Sequence, residues 1–279
     1  MGTLYIVGTP IGNLEDITQR ALRTLREVAV IACEDTRETR KLLHHFQIDT
    51  PVTSYHEHNK RSAGPRLIQR LLYGEDVALV SDAGMPAISD PGEELVASAI
   101  EAGIPVVPIP GPTAFVTALV ASGLPARRFV FEGFLPHKGK ERRQALERLK
   151  GEMRTVLLYE APHRLQETLA DLRAALGDRR AAACRELTKL HEEYVRGTLS
   201  ALIDHFAAHP PRGEFVLVVE GAEPAAPAER PEASSLARAV SELEAQGVDR
   251  KAAMKEVAQR LGVSRRAVYQ ALLEERGPD

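Results

Sequence analysis

Short apolar runs alternate with amphipathic stretches through the first half of the chain. The runs have the length of buried strands, and the stretches between them place apolar residues at helical spacing. The predicted strands are residues 4–7, 28–32, 52–55, 77–80 and 105–109. The predicted helices are residues 16–28, 40–46, 65–72, 93–102 and 114–122. Strands that alternate with helices in this way predict βαβ units and a mostly parallel sheet.

The pattern changes after residue 122, where strands no longer alternate regularly with helices. The predicted strands are residues 129–134, 155–159, 180–185, 194–198 and 214–219, and the predicted helices are residues 139–149, 165–176 and 199–207. We therefore expect an N-terminal α/β domain at 1–122 and a second α+β domain of mixed strand direction at 123–221. A Pro/Ala-rich linker at 222–233 leads to a helical domain at 234–279.

The C-terminal segment has the pattern of a helix-turn-helix. An apolar helix over residues 249–261 ends at Gly262, Ser264 can cap the next helix, and Arg265 and Arg266 open that helix. A trihelical packing module without a nucleic-acid role is the alternative. Eight basic against seven acidic residues from Ser234 onward are weak support for nucleic-acid binding by this segment alone.

Composition narrows the class of protein. The 279 residues are 44% hydrophobic and 27% charged with a net charge of -3, which is ordinary for a soluble domain and gives no global attraction to nucleic acid. Cys33 and Cys184 stand apart, without other ligands at metal-binding spacing, so we expect buried thiols and no metal. A strand at the N-terminus and the absence of long apolar stretches predict a cytoplasmic protein without a signal peptide or a membrane span.

Three glycine-bearing loops follow three strands of the predicted parallel sheet. They are Gly8-Thr-Pro-Ile-Gly-Asn13, the loop from Ser81 to Gly92, and Pro110-Gly-Pro-Thr113. Any one of them alone can be a tight turn, but the carboxyl ends of parallel strands meet at one edge, where open α/β sheets bind ligands. The first loop lacks a dinucleotide fingerprint, and Pro10 removes an N–H that a phosphate cradle needs. The loops thus predict a shared crevice for a ligand less anionic than NAD or ATP.

Charged clusters also follow strand-like runs. They are Glu34-Asp-Thr-Arg37, His56-Glu-His-Asn59, Glu160-Ala-Pro-His-Arg164 and Arg185-Glu-Leu-Thr-Lys189, and the densest basic run is His137-Lys-Gly-Lys-Glu-Arg-Arg143. Each cluster alone is compatible with a solvated strand or helix end. Together they predict a polar cleft for a phosphate-bearing substrate. His56 and His58 have no third ligand at metal-binding spacing, so no metal site is expected there.

These motifs resemble the tetrapyrrole-methylase superfamily. The resemblance is carried by the first glycine loop, Cys33-Glu-Asp-Thr-Arg37, Val80-Ser-Asp-Ala-Gly84, Ile88-Ser-Asp-Pro-Gly92 and Pro110-Gly-Pro-Thr-Ala114. Phe131-Glu-Gly-Phe-Leu-Pro136, Tyr159-Glu-Ala-Pro-His-Arg164 and Cys184-Arg-Glu-Leu-Thr-Lys189 narrow it to the branch that methylates the ribose 2′-oxygen of a cytidine in bacterial small-subunit ribosomal RNA. The similarity runs along nearly the whole chain, including the helical tail.

The resemblance implies a two-domain methyltransferase, commonly a homodimer, that binds S-adenosylmethionine between its domains. The implied cofactor-binding residues are Pro10, Asp82, Ala83, Gly84, Met85, Ile88, Thr113, Ala114, Tyr159, Glu160 and Glu214. Met85 departs from the branch, which usually has threonine there, and puts a hydroxyl-mediated contact at this position in doubt.

Methyl transfer to a ribose hydroxyl requires alignment and a group that takes up the proton. The candidate acceptors are Asp35, Glu160 and Glu186, with Lys189 as a stabilising cation, and the residues alone do not choose among them. The predicted RNA contacts are Arg37, His56, Asn59, Lys138, Lys140, Arg142, Arg164, Arg185, Lys189, Arg265 and Arg266. Two other functions remain open at this point, a tetrapyrrole methyltransferase and a ligand-responsive DNA-binding regulator.

Overall fold

The computed structural model describes residues 1–223 and 233–275. Most of the predicted linker and the last four residues of the predicted tail lie outside the described residues. Residues Met1–Ala222 form one compact unit, and the chain from Glu223 onward forms a second. No helix in the described ranges is long and apolar enough to cross a membrane.

The first sheet contains five parallel strands. They are β1 (Leu4–Val7), β2 (Val30–Cys33), β3 (Val52–Ser54), β4 (Val77–Leu79) and β5 (Val106–Ile109). Their order is β3-β2-β4-β1-β5. Every neighbouring pair is parallel, as the alternation of strands and helices predicts. Because all five strands run in one direction, the loops that follow them lie along a single edge of the sheet.

Four helices cover the two faces of this sheet. They are α1 (Gln19–Glu27), α2 (Thr36–His45), α3 (Lys60–Leu72) and α4 (Gly92–Glu101). Leu25 of α1 and Leu43 of α2 pack on one face, while Leu67 of α3 and Leu95 of α4 pack on the other. Strand residues such as Leu4 are fully buried between the layers, which explains why these strands are continuous apolar runs rather than alternating ones.

Two helices begin where their caps require rather than where the apolar pattern begins. The predicted helix at 16–28 begins at Gln19, because the Thr18 hydroxyl accepts the N–H of Ala21 at 3.1 Å. The helix predicted from residue 40 begins at Thr36, because the Asp35 carboxylate accepts the N–H of Arg37 at 2.8 Å. Polar side chains thus decide these helix starts.

The second sheet has mixed strand directions, as predicted. Its strands are β6 (Phe129–Phe134), β7 (Thr155–Glu160), β8 (Arg180–Arg185), β9 (Glu193–Thr198) and β10 (Phe215–Val219), in the order β6-β7-β10-β8-β9. β6 and β7 are parallel, and β10 runs antiparallel to both β7 and β8. The carboxyl ends of β6, β7 and β8 and the amino end of β10 therefore meet at one edge.

One face of the second sheet is covered by α6 (Gly139–Lys150), α7 (Leu165–Leu176) and α8 (Leu199–Ala208). The other face is covered by α5 (Ala114–Ser122), whose Ala118 and Leu119 pack against Leu157 and Val216. The sequence pattern predicts this helix as part of the domain at 1–122, whereas in the structure it packs on the second sheet. The domain boundaries otherwise stay predictions.

The C-terminal unit contains α9 (Ala233–Ala245), α10 (Arg250–Arg260) and α11 (Arg265–Glu275). Val240, Val257 and Val268, one from each helix, contribute to a separate apolar core. Asp249 caps α10 through the N–H of Lys251, and the Ser264 hydroxyl accepts the N–H of Ala267 in the first turn of α11. The three helices therefore pack as a trihelical unit.

Candidate functional site

A cleft of about 220 Å³ opens where the loop-bearing edge of the first sheet faces the corresponding edge of the second. It is bounded by the loops that follow β1, β4 and β5, by the ends of β6 and β7, by the start of β10 and by the loop that follows β8. Its lining residues are Ile11, Ala83, Gly84, Met85, Ile88, Ser89, Thr113, Ala114, Phe134, Tyr159, Glu160, Glu186, Leu187, Lys189, Glu214, Phe215 and Val216. The crevice predicted from the three glycine loops is thus present, and the second sheet supplies its opposite wall.

The loop between β4 and α4 is held against the loop after β1. The N–H of Thr9 donates to the carbonyl of Gly84 at 2.9 Å, and the N–H of Gly84 donates back to the carbonyl of Thr9 at 3.1 Å. Gly84 has φ +84°, a left-handed conformation that disfavours side chains. The carboxylate of Asp90 holds the rest of the loop by accepting the N–H groups of Ala87 and Gly92.

Backbone strain is concentrated in two loops that line the cleft. Among the described residues, five other than glycine have positive φ, and four of these are Ala87, Ser89, Glu186 and Thr188. Ala87 and Ser89 belong to the loop before α4, while Glu186 and Thr188 belong to the loop after β8. Non-glycine residues in this region cost about 1–3 kcal/mol each and are characteristic of ligand-binding sites. No spacing in the sequence signals them.

Nine of the eleven residues proposed for cofactor binding line the cleft. These nine are Ala83, Gly84, Met85, Ile88, Thr113, Ala114, Tyr159, Glu160 and Glu214. The other two do not: Pro10 is buried, with its neighbour Ile11 supplying the lining side chain, and Asp82 accepts the N–H of Asp35 at 3.0 Å. Sequence reasoning also missed Phe134, which is an exposed aromatic residue at this cleft.

The charge of the lining fits S-adenosylmethionine. Among the described residues, three carboxylates (Glu160, Glu186 and Glu214) and a single ammonium (Lys189) line the cleft, and no arginine does. A net negative lining favours a sulfonium cation and disfavours a pyrophosphate. Burial raises the pKa of the Tyr159 hydroxyl, so this side chain stays neutral at physiological pH. Together with the apolar residues that can contact an adenosine, the side chains present fit this methyl donor.

The three candidate proton acceptors have different environments. Asp35 does not line the cleft, and hydrogen bonds from Arg37 lower its pKa to about 2, so it is a weak base. Glu160 is only 1% exposed and already accepts hydrogen bonds from Thr168 at 2.6 Å and from the N–H of Ala161 at 2.9 Å.

Glu186 remains as the third candidate. It lines the cleft, and its Oε1 lies 3.0 Å from Lys189 Nζ. Its Oε2 accepts no hydrogen bond from the described residues. Glu186 is therefore the candidate with an oxygen available to a substrate.

Two arginines proposed to bind RNA are structural instead. Arg142 is buried, and its guanidinium donates to Asp171, to Thr168 and to the carbonyl of Pro136. Arg164 is also buried, and it donates to the carbonyl of Leu135 at 2.8 Å. Their side chains are only 6% and 11% exposed and their hydrogen bonds are made within the protein, so the predicted RNA contacts at Arg142 and Arg164 are not supported by the structure.

Two other predicted RNA contacts are engaged within the protein. Asn59 holds the turn after β3, because it accepts the N–H of His56 at 2.8 Å and donates to Ser54. Arg185 is paired with Glu193 across β8 and β9. The side chains of Arg37, Lys138, Lys140, Lys189, Arg265 and Arg266 are exposed, and the residue-by-residue assignment of RNA contacts stays a prediction.

A metal centre is not part of this arrangement. In residues 1–223 and 233–275, no group of three or more His, Cys, Asp or Glu side chains is placed to hold a metal ion. The rings of His56 and His58 are 6.1 Å apart.

Comparison with known proteins places this geometry in a family. Residues 3–203 match the family model of tetrapyrrole (corrin/porphyrin) methylases. The chain is 54% identical to the ribosomal RNA small subunit methyltransferase I of Halalkalibacterium halodurans over 96% of this chain and 93% of that one. It is 50% identical to the Thermotoga maritima protein of the same name over 223 residues, which are 80% of this chain and all of the relative.

Solved structures share the fold. Diphthine synthase superposes with a TM-score of 0.64 at 18% identity, covering 79% of this chain and 90% of that one. Uroporphyrin-III C-methyltransferase from Thermus thermophilus, complexed with S-adenyl homocysteine, superposes with a TM-score of 0.56 at 19% identity, covering 78% and 97%. The chain therefore belongs to the tetrapyrrole (corrin/porphyrin) methylase family of S-adenosylmethionine-dependent methyltransferases, in the same branch as the ribosomal RNA small subunit methyltransferases I.

Proposed function

We propose that this protein methylates the ribose 2′-oxygen of a cytidine in small-subunit ribosomal RNA. The observation that carries the proposal is a carboxylate-lined cleft, fit for a sulfonium donor, in a chain that matches ribosomal RNA methyltransferases along nearly its whole length. The likeness to the uroporphyrin enzyme, at 19% identity, extends to the fold alone and gives no support to a tetrapyrrole substrate.

In this methyl transfer the protein has two main tasks, to align the ribose oxygen with the methyl group and to accept the hydroxyl proton. When bound, S-adenosylmethionine supplies an electrophilic methyl group whose C–S bond breaks as the O–C bond forms. The two walls of the cleft hold the ribose oxygen in line with that methyl group and exclude water. Such positioning can lower a barrier by about 7–11 kcal/mol.

Proton removal from the 2′-hydroxyl is assigned to Glu186. Its side chain lines the cleft and its Oε2 accepts no hydrogen bond from residues 1–223 and 233–275, while the ammonium of Lys189, 3.0 Å from Oε1, can hold a neighbouring phosphate or stabilise the developing charge. Glu160, with its hydrogen bonds from Thr168 and Ala161, instead fixes the end of β7. DNA lacks the 2′-hydroxyl, so this chemistry selects RNA.

The setting of the enzyme is part of the proposal. We propose a cytoplasmic location, because the proposed substrate is ribosomal RNA. We also propose a homodimer, because two apolar side chains one turn apart on α5 are exposed, namely Val116 and Val120. The exposed lysines and arginines named above are proposed to contact the RNA backbone.

The test is methyl transfer from S-adenosyl-[methyl-³H]methionine to small ribosomal subunits from cells that lack this enzyme. We expect label in the RNA that nuclease digestion maps to the ribose of one cytidine. Label on a base or on ribosomal protein, or no transfer of label at all, would refute the proposal. Free transcript assayed in parallel identifies whether the RNA or the assembled particle is the substrate.

A further inference from the structure

Phe134 presents an unusual surface at the mouth of the cleft. Its side chain is 54% exposed although it lines the cleft at the end of β6. An exposed phenylalanine elsewhere needs no explanation. Around Phe134, however, backbone geometry, buried hydrogen bonds and neighbouring aromatic rings together fix the side chain in a solvent-exposed position.

The backbone of β6 turns Phe134 toward the cleft. The pairing of β6 with β7 shifts register between Phe131 and Phe134, and Gly133 inside this bulge has φ +64°. Bulges next to active sites redirect side chains in this way. A Cβ built on Gly133 would lie 3.1 Å from the Ser89 hydroxyl. The bulge therefore packs closely against the loop before α4, on the opposite wall of the cleft.

The residues after Phe134 are fixed by the two buried arginines. Leu135 is buried and its carbonyl accepts from Arg164 at 2.8 Å, while the carbonyl of Pro136 accepts from Arg142 at 3.1 Å. Glu160 in turn lies 3.5 Å from the Nε of Arg164. This buried polar network holds the chain directly behind the exposed ring.

One side of the ring is supported by other aromatic rings. The centroid of Phe134 is 5.5 Å from that of Tyr159, which is 4.9 Å from that of Phe131, and Phe131 stacks on Phe115 at 4.4 Å. Phe134 is the outermost ring of this series. Its remaining surface is open to a flat apolar partner.

Basic side chains follow on the same segment. Lys138 and Lys140 are exposed and take part in none of the ion pairs among the described residues. An exposed aromatic ring with exposed lysines four and six residues further along the chain is the combination of side chains that proteins use to bind an unpaired nucleotide, with the base on the ring and the phosphates near cations.

We propose that Phe134 is the stacking platform for the base of the target nucleotide, and this inference rests on the proposed function. The base lies on the exposed ring, and the ribose thereby enters the cleft toward Glu186. The cofactor binds deeper in the cleft and does not use this ring.

The experiment compares Phe134→Ala, Phe134→Leu, Phe134→Tyr and Phe134→Trp with the wild type. For each, the KM for undermethylated small subunits and kcat are measured by tritium transfer, and the Kd of S-adenosylmethionine by calorimetry. Tyr73→Ala is the control, because Tyr73 is 86% exposed and precedes β4, at the edge of the first sheet away from the cleft.

We expect Phe134→Ala and Phe134→Leu to raise the KM for subunits by about 5- to 150-fold, the loss that follows removal of one base–aromatic stack. In these two variants the Kd of S-adenosylmethionine and the melting temperature should stay unchanged. Phe134→Tyr and Phe134→Trp should keep a KM near that of the wild type. Tyr73→Ala should behave as the wild type in every measurement.

Three results would overturn the inference: an unchanged KM in Phe134→Ala, a normal KM in Phe134→Leu, or a matching loss of cofactor affinity, which would assign the ring to the cofactor's adenine. A wild-type enzyme that leaves the ribose of subunit RNA unmethylated defeats the proposed function itself, and is recognised before any variant is compared.

Discussion

Three carboxylates with similar sequence surroundings have different environments in the folded protein. Asp35 is held ionised by Arg37, Glu160 is enclosed by donors, and Glu186 faces the cleft beside Lys189. The difference lies in hydrogen-bond partners rather than in residue type, because a carboxylate oxygen that already accepts a hydrogen bond within the protein is less available to a substrate.

Glu186→Gln should lower kcat by about 10²- to 10⁴-fold, the usual contribution of a general base, while the Kd of S-adenosylmethionine changes little. The control is Glu38→Gln, because Glu38 pairs with Lys41 at the same i, i+3 spacing on the surface of α2. Tritium-transfer kinetics and calorimetry give the two quantities. A kcat near that of the wild type would remove Glu186 from the proton transfer.

Gly84→Val should weaken S-adenosylmethionine binding about tenfold, because Gly84 lines the cleft and its Cβ would already contact Ile11 at 3.4 Å and the carbonyl of Pro112 at 3.5 Å, so the two further methyl groups of valine would take up space in the cleft. The left-handed φ adds a stability loss of about 1–2 kcal/mol. Gly103→Val shares that loss, because Gly103 has φ +69° with nothing within 4 Å of its Cβ. Calorimetry that finds equal cofactor affinity in both variants would contradict a direct role for Gly84.

At the scale of elements, buried polar groups connect α6 and α7 to the end of β7. Arg142 of α6 contacts Asp171 and Thr168 of α7, and Thr168 donates to Glu160 of β7. The ends of these elements are therefore fixed by hydrogen bonds in addition to apolar packing. Removing one member leaves the others without partners in a dry environment, which is costly.

Arg142→Ala should lower the free energy of unfolding by about 2–3 kcal/mol, measured by urea denaturation. Arg143→Ala is the matched control, because Arg143 is its exposed neighbour on α6 and should change stability by less than about 0.5 kcal/mol. If Arg142 acted mainly on RNA, its variant would unfold like the wild type and lose only affinity for subunits.

The interior strands β2 and β8 each bury a cysteine completely. Burial raises the pKa of the Cys33 thiol, and it raises that of Cys184 to about 12. The unfolded chain, with thiol pKa values of about 8.5, loses these protons first. The contribution to stability is thus complete below about pH 8.5 and is lost as the pH rises toward 12.

Neither thiol should react with Ellman's reagent in the native protein at pH 8, since only the thiolate is nucleophilic and both sulfurs are shielded. Two equivalents should react after denaturation in guanidinium chloride. Rapid labelling of the folded protein would show that β2 or β8 opens more readily than its burial indicates.

At the scale of the whole molecule, the cleft depends on two sheets that belong to one compact unit. That unit ends at Ala222, and the trihelical unit after it has its own apolar core.

Deletion of residues 223–279 should leave the Kd of S-adenosylmethionine unchanged and weaken binding of small subunits. Calorimetry and filter binding test the two parts separately. Loss of cofactor affinity in a folded truncated protein would contradict the expectation. Sequence-specific binding of duplex DNA by the isolated tail would instead favour a regulator.

Much of this architecture could be predicted because it depends on local patterns. The apolar run at 77–80 and the glycine loop after it locate one wall of the cleft, and strand direction brings three such loops to one edge. The strained Ala87 and Ser89 could not be predicted, because no local preference explains positive φ at these residues. The exposure of Phe134 could not be predicted either, because the strand pattern at 129–134 does not indicate which of its aromatic side chains reach solvent.

The amino-acid sequence by itself determined the elements, their succession along the chain, the family and much of the cleft lining, because strand and helix periodicity and loop chemistry are properties of neighbouring residues. Only the tertiary structure decided which arginines are buried, which carboxylate faces the cleft and which aromatic ring is open. Arg142 meets Thr168 26 residues away, and Thr9 meets Gly84 75 residues away. Burial and hydrogen-bond partners arise from such distant contacts, and these set the chemistry of each side chain.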